Sequence, residues 1–96
     1  MANIIANLNK AFENRIRLGI MSILSVNESA DFTTIKELLE LTDGNLASHI
    51  KALEGLNYIQ SKKQFIGRKP NTNYSITESG CQSFKEHLDA LETLLK

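Results

Sequence analysis

One cysteine, one proline, no tryptophan and no net charge: this 96-residue sequence is short of most features that announce a function. A single thiol, Cys81, forms no internal disulfide, and with two histidines in the chain it has too few partners for a structural zinc site. A reducing, cytoplasmic setting is therefore expected. The opening residues, Met1-Ala2-Asn3-Ile4-Ile5-Ala6-Asn7-Leu8, hold no basic stretch and no long apolar run, which argues against a secretory signal or a membrane span. No Gly-rich phosphate loop and no paired-carboxylate pattern is visible, and Cys81 and His87 lie on different sides of one helical stretch. No enzyme activity, no cofactor and no metal are expected. No repeat, linker or low-complexity tract divides residues 1–96, which read as one domain. A domain of this size buries about 60–70% of its unfolded surface, so self-association is a natural source of further burial.

What is present is periodicity. Phe12, Ile16, Ile20, Ile23 and Leu24 recur at helical spacing and predict an amphipathic helix over about 10–25, locally weakened by Gly19. A second, short helix is predicted over about 34–41, with Thr34 and Glu37 as a capping box or Thr33 as the alternative cap. A one- or two-residue strand at Asp31-Phe32-Thr33 precedes it. Thr42 is a strong N-cap for a third helix reaching about Leu56, with Leu41 and Leu46 as a hydrophobic staple and Asn57 as a left-handed stop. Two helices so tightly joined make a helix-turn-helix. A β-hairpin follows, with strands at 58–66 and 73–77 around a Gly67–Asn73 loop, and a last helix starts near Thr77. The expected fold is α+β and mostly helical: a winged helix-turn-helix with a β-hairpin wing and a C-terminal dimerisation helix.

The zero net charge hides an uneven distribution. Between Gly44 and Thr77 stand Lys51, Lys62, Lys63, Arg68 and Lys69 against the one acid Glu54, five minus one or +4, which leaves the rest of the chain at −4. Such a cationic stretch is a directional electrostatic footprint that suits a polyanionic partner such as double-stranded DNA; a solvated, lysine-rich strand pair is the other reading of charge alone. On the third helix, Leu46, Ile50 and Leu53 face the core. The opposite side presents Gly44, Ser48, Lys51 and Gly55, flanked by Asn45, Ala47 and Ala52. A lean polar face suits a major groove about 12 Å wide. Asn45 and Ser48 are candidates for base edges and Lys51 for phosphate, while His49, at the flank, suits either phosphate or the edge of the core. In the wing, Lys62, Lys63, Arg68 and Lys69 are placed to reach the backbone or an adjacent minor groove.

From Asn14 to Gly80 the sequence resembles the MarR/ArsR-like winged-helix regulators, in particular their small single-domain group. The resemblance is carried by Asn14–Met21 in the first helix, Leu41–Glu54 around the third, Tyr58-Ile59 entering the wing, and Thr77-Glu78-Ser79-Gly80 opening the last helix. It implies a homodimeric transcriptional regulator of a palindromic operator, with Asn45, Ser48, His49 and Lys51 on the recognition helix and Arg68 and Lys69 in the wing. The cysteine and histidine ligand sets of ArsR-like metal sensors are absent here, so metal sensing is not expected.

Both chain ends are apolar, and segments 1–12 and 81–96 are expected to dimerise. Cys81, Phe84, Leu88, Leu91 and Leu95 follow a 3, 4, 3, 4 spacing that suits helix-helix packing, and Ile4, Ile5, Leu8 and Phe12 form a second stripe. Ile4, Ile5, Leu8, Phe84, Leu88, Leu91 and Leu95 are the candidate interface residues. The competing reading is a protein-interaction module of the same fold that does not bind DNA.

Overall fold

A computed structural model describes residues 3–96. A 3-10 turn (Lys10–Phe12) leads into α1 (Arg15–Val26), β1 (Ala30–Asp31), α2 (Phe32–Leu39), α3 (Asp43–Gly55), β2 (Ile59–Ile66), β3 (Lys69–Ile76) and α4 (Glu78–Leu94). The strands form one antiparallel sheet in the order β1-β3-β2. This is the expected winged helix.

Asparagine, aspartate and threonine side chains set the element boundaries by satisfying the first free amides of each helix. Thr42 and Thr77 cap α3 and α4 through Asn45 and Gly80, as expected. Two boundaries differ from expectation. The predicted first helix is interrupted, because the Asn14 carboxamide accepts from the N–H groups of Ile16 and Arg17 and starts α1 afresh at Arg15. Helix α2 starts at Phe32, and its cap is Asp31 rather than Thr33 or Thr34. The Asp31 carboxylate accepts from the Thr34 N–H at 2.8 Å and from the Asn71 amide at 3.1 Å; the Thr34 hydroxyl foremost, then these two donors, hold it below the usual aspartate pKa. One side chain thus starts α2 and braces the wing.

The wing also differs. The expected seven-residue loop is a two-residue turn, Gly67-Arg68, between strands of eight residues each. Gly67 takes a φ of +64° at the first turn position, which suits a tight hairpin and disfavours a side chain. Pro70 is tolerated inside β3. The pair flanking a two-residue turn is hydrogen-bonded, so the next pair, Phe65–Pro70, is not, and the proline nitrogen faces the β1 side of β3 beyond Asn73, where the two-residue β1 does not reach.

Ile20, Met21 and Leu24 of α1, Ile35 of α2, Leu46, Ile50 and Leu53 of α3, and Ile59 and Tyr74 of the sheet form the core. Phe12 extends it toward α4, stacking edge-on with Phe84 and lying against Tyr58 and His87. Phe84, expected at a subunit interface, is instead buried within its own chain, because the 3-10 turn carries Phe12 over it.

His87 is buried on the same face of α4, and its Nδ1 accepts the Asn9 N–H at 2.9 Å, tying the N-terminal segment down. Burial holds this imidazole below the usual histidine pKa, partly opposed by the Glu13 carboxylate. The folded chain therefore takes up this proton less readily than the unfolded chain. The stability it contributes is complete above about pH 6.5 and falls as the medium becomes more acidic, by at most about 1.4 kcal/mol per pH unit for one proton. His49 is shifted in the same direction and adds to that slope. Urea melts between pH 7 and 5 are expected to show the decline, and His87→Gln to flatten it. An unchanged slope in that variant would assign the proton elsewhere.

Candidate nucleic-acid interface

Helix α3 stands on the core through Leu46, Ile50 and Leu53 and turns its other side outward. Gly44, Asn45, Ala47, Ser48, Lys51 and Gly55 are all exposed. A Cβ added at Gly44 or Gly55 would meet nothing within 4 Å, so neither glycine is required by packing inside the chain. The acid at the start of the helix, Asp43, is bound by Lys36 of α2 at 2.9 Å, which removes one free carboxylate from the end nearest Asn45.

His49 departs from this pattern. It is half-buried, and its Nδ1 accepts from the Arg17 Nε at 3.1 Å. Burial and the adjacent guanidinium lower its pKa, which favours the neutral acceptor form. His49 therefore supports Arg17 at the flank of α3 rather than presenting itself outward. Sequence reasoning missed Arg17. It lies in the first turn of α1 among core residues, and nothing local pairs it with a histidine 32 positions away.

The wing carries the other cations. Lys62, Lys63, Arg68 and Lys69 are exposed. Among the described residues the ion pairs are Lys36–Asp43 and Lys96–Glu92, so none of the wing cations, nor Lys51, is held by a carboxylate of its own chain. A polar ladder keeps the hairpin in place: Gln64 donates to Asn71, Asn73 donates to Asn71, and Asn71 donates to Asp31 at the start of α2. The wing is thus tied to the start of α2, with unneutralised positive charge on the wing and a small-residue exposed face on α3.

In the N-terminal segment, Ile4 and Ile5 are exposed and Leu8 is half-buried. Of the 1–12 segment, Met1 and Ala2 lie outside the described residues. Asn7 shares a cleft with Glu86, Asp89, Ala90 and Thr93 of α4, so the two terminal segments adjoin. On α4, Cys81 and Leu88 are exposed and Leu91 is half-buried, and Leu95 at its C-cap is exposed. Among the described residues no helix is long and apolar enough to cross a membrane, and no group of three His, Cys, Asp or Glu side chains is placed to hold a metal ion.

A family model described as a winged helix DNA-binding domain matches residues 16–95. An uncharacterized protein of Methanocaldococcus jannaschii is 36% identical over 87 residues, 91% of this chain and 95% of that protein. The structure of a transcriptional regulator homologue from Pyrococcus horikoshii OT3 superposes with a TM-score of 0.84 at 35% identity, over 96% of this chain and 89% of that one. A zinc-responsive MarR family member from Lactococcus lactis shares the fold, with a TM-score of 0.69 at 21% identity over 99% of this chain and 62% of that one.

Proposed function

The chain belongs to the winged-helix DNA-binding domain family, and from that premise we propose that it is a cytoplasmic homodimeric transcriptional regulator of a palindromic operator. Helix α3 enters the major groove. Asn45 and Ser48 read base edges, and Asn45 is able to pair with adenine through two hydrogen bonds. Lys51 binds phosphate, and Arg17, steadied by His49, stands at the flank of α3. The wing lies over the adjacent backbone and minor groove through Lys62, Lys63, Arg68 and Lys69.

The observation that carries this reading is the pairing of an exposed, small-residue face on α3 with wing cations that have no carboxylate partner among the described residues. Gly44 in the first turn and Gly55 at the last position of α3 cost less than the roughly 1 kcal/mol of a helix-interior glycine, and neither is required by packing inside the chain, which leaves room for a close approach by another surface. The dimer is supported by the exposed Leu88 of α4, Leu95 at its C-cap, and the exposed Ile4 and Ile5 of the N-terminal segment. Phe84, buried in its own subunit, is no part of that interface. A two-fold axis would present the paired α3 helices to half-sites about 34–36 Å apart.

Selection of bound sequences from random duplex DNA tests binding, palindromy and spacing together. On the selected duplex, log K is expected to fall against log salt with a slope of about −7, if a dimer neutralises about eight phosphates. Arg68→Ala is expected to make the slope shallower by about one for each phosphate that the guanidinium neutralises. A protein-interaction module of the same fold would show little salt dependence and no response to Arg68→Ala.

A further inference from the structure

Two large apolar side chains stand uncovered at the far end of the wing: Phe65 is 74% exposed and Ile66 60%. The strand register pairs Phe65 with Pro70 and Ile66 with Lys69, on either side of the Gly67-Arg68 turn. By alternation Phe65 lies on the face of the sheet that carries the buried Ile59 and Tyr74. Lower down the helices cover that face; at Phe65 nothing does. Behind the tip every charge is positive, with no Asp or Glu between Gly55 and Thr77. An apolar point backed by cations complements a surface that is anionic outside and stacked inside, which is the minor groove of duplex DNA.

We propose that the wing tip is a wedge: Phe65 inserts at a base step from the minor-groove side of the operator and bends the duplex, while Lys63, Arg68 and Lys69 hold the flanking phosphates. The proposal rests on the regulator reading above and adds a bend and a second source of sequence preference to it. Apolar wedges of this kind partly unstack one step and kink the duplex by about 20–90°. Pyrimidine–purine steps unstack most readily, so a TA or CA step is favoured beneath the wing, at a position α3 does not reach. Since Phe65 takes no part in the core, its substitution leaves the fold intact.

The test uses duplexes recovered by selection, with dyes at both ends to report bending and 2-aminopurine placed along the wing footprint to report unstacking. The wild-type chain is expected to shorten the end-to-end distance and to brighten 2-aminopurine several-fold at one step in each half of the site. Phe65→Ala is expected to abolish both signals and weaken binding about tenfold, with the half-site preference set by α3 and the melting temperature unchanged. A straight wild-type complex, or a Phe65→Ala complex bent like the wild type, overturns the wedge and leaves the regulator reading standing. Absence of salt-dependent binding to any selected duplex overturns both. If Phe65→Ala leaves the DNA complex unchanged but releases the chain from phosphatidylserine–phosphatidylcholine vesicles, the tip serves a lipid surface and the wedge is wrong.

Discussion

Gly80→Ala is expected to destabilise the chain more than any other single methyl addition to its glycines. Gly80 is buried in the first turn of α4, directly over the chain entering the wing. A Cβ there would stand 2.0 Å from the Tyr58 carbonyl oxygen, 2.8 Å from its carbon and 2.9 Å from the Tyr58 Cα. These are backbone atoms and cannot rotate aside. The same carbonyl accepts the Thr77 N–H, and the Thr77 hydroxyl donates to the Asn57 carbonyl, so moving α4 away strains the bonds that begin it. Overpacking typically costs about 1–3 kcal/mol, and a rigid obstacle puts this site at the upper end. Alanine's helix-propensity advantage, about 1 kcal/mol at most, does not offset it. A fall in melting temperature of roughly 10 °C or more follows for a domain of this size. Gly19→Ala is the natural control: its Cβ would meet the Leu39 Cδ2 at 2.8 Å, the far end of a flexible side chain, and the expected change is small. Equal melting of the wild-type and Gly80→Ala proteins would show that the Tyr58 approach is not a constraint.

Leu88→Lys is expected to act on assembly instead of folding. Leu88 is 44% exposed, so a lysine there is hydrated without opening the core. With Cys81 and Leu95, seven residues to either side, it forms the outward stripe of α4. Two such stripes packed on each other exclude a buried ammonium, which is costly without a partner. Sedimentation equilibrium should report a mass falling from twice 10.7 kDa to 10.7 kDa. Each freed subunit then holds a single half-site without the effective concentration that linkage supplies, so operator affinity should drop by at least about 100-fold. Far-UV circular dichroism should remain that of the wild type. An intact Leu88→Lys dimer would move the interface off this stripe.

Much of the fold is legible because its signals are local. Thr42 and Asn57 frame α3 within a residue or two, since a cap and a left-handed stop act on amides a few positions away. The Leu46, Ile50, Leu53 spacing identifies the inward side, and with it the outward Asn45, Ser48 and Lys51. The Thr77-to-Gly80 pattern is equally visible, but its reason, the Tyr58 carbonyl, is not. Asp31 displaces the Thr34 capping box because its carboxylate is also engaged by Asn71, 40 positions on. The long turn-rich stretch after Gly67 reads as a loop because proline and asparagine usually mark one. Register with β2 makes it a strand, with the proline nitrogen on the side that the short β1 does not reach.

The α4 stripe shows the limit most plainly. Spacing alone makes Phe84 and Leu88 equivalent, and only the arrival of Phe12 sends one inward and leaves the other at the surface. Helix periods, caps and the clustering of charge were thus set by the order of residues, because hydrogen bonds near a helix end and side-chain directions repeat over a few positions. Which of two apolar faces is covered, which histidine steadies Arg17 and how far the wing reaches were decided by the packed chain, because those depend on groups distant in sequence meeting in space.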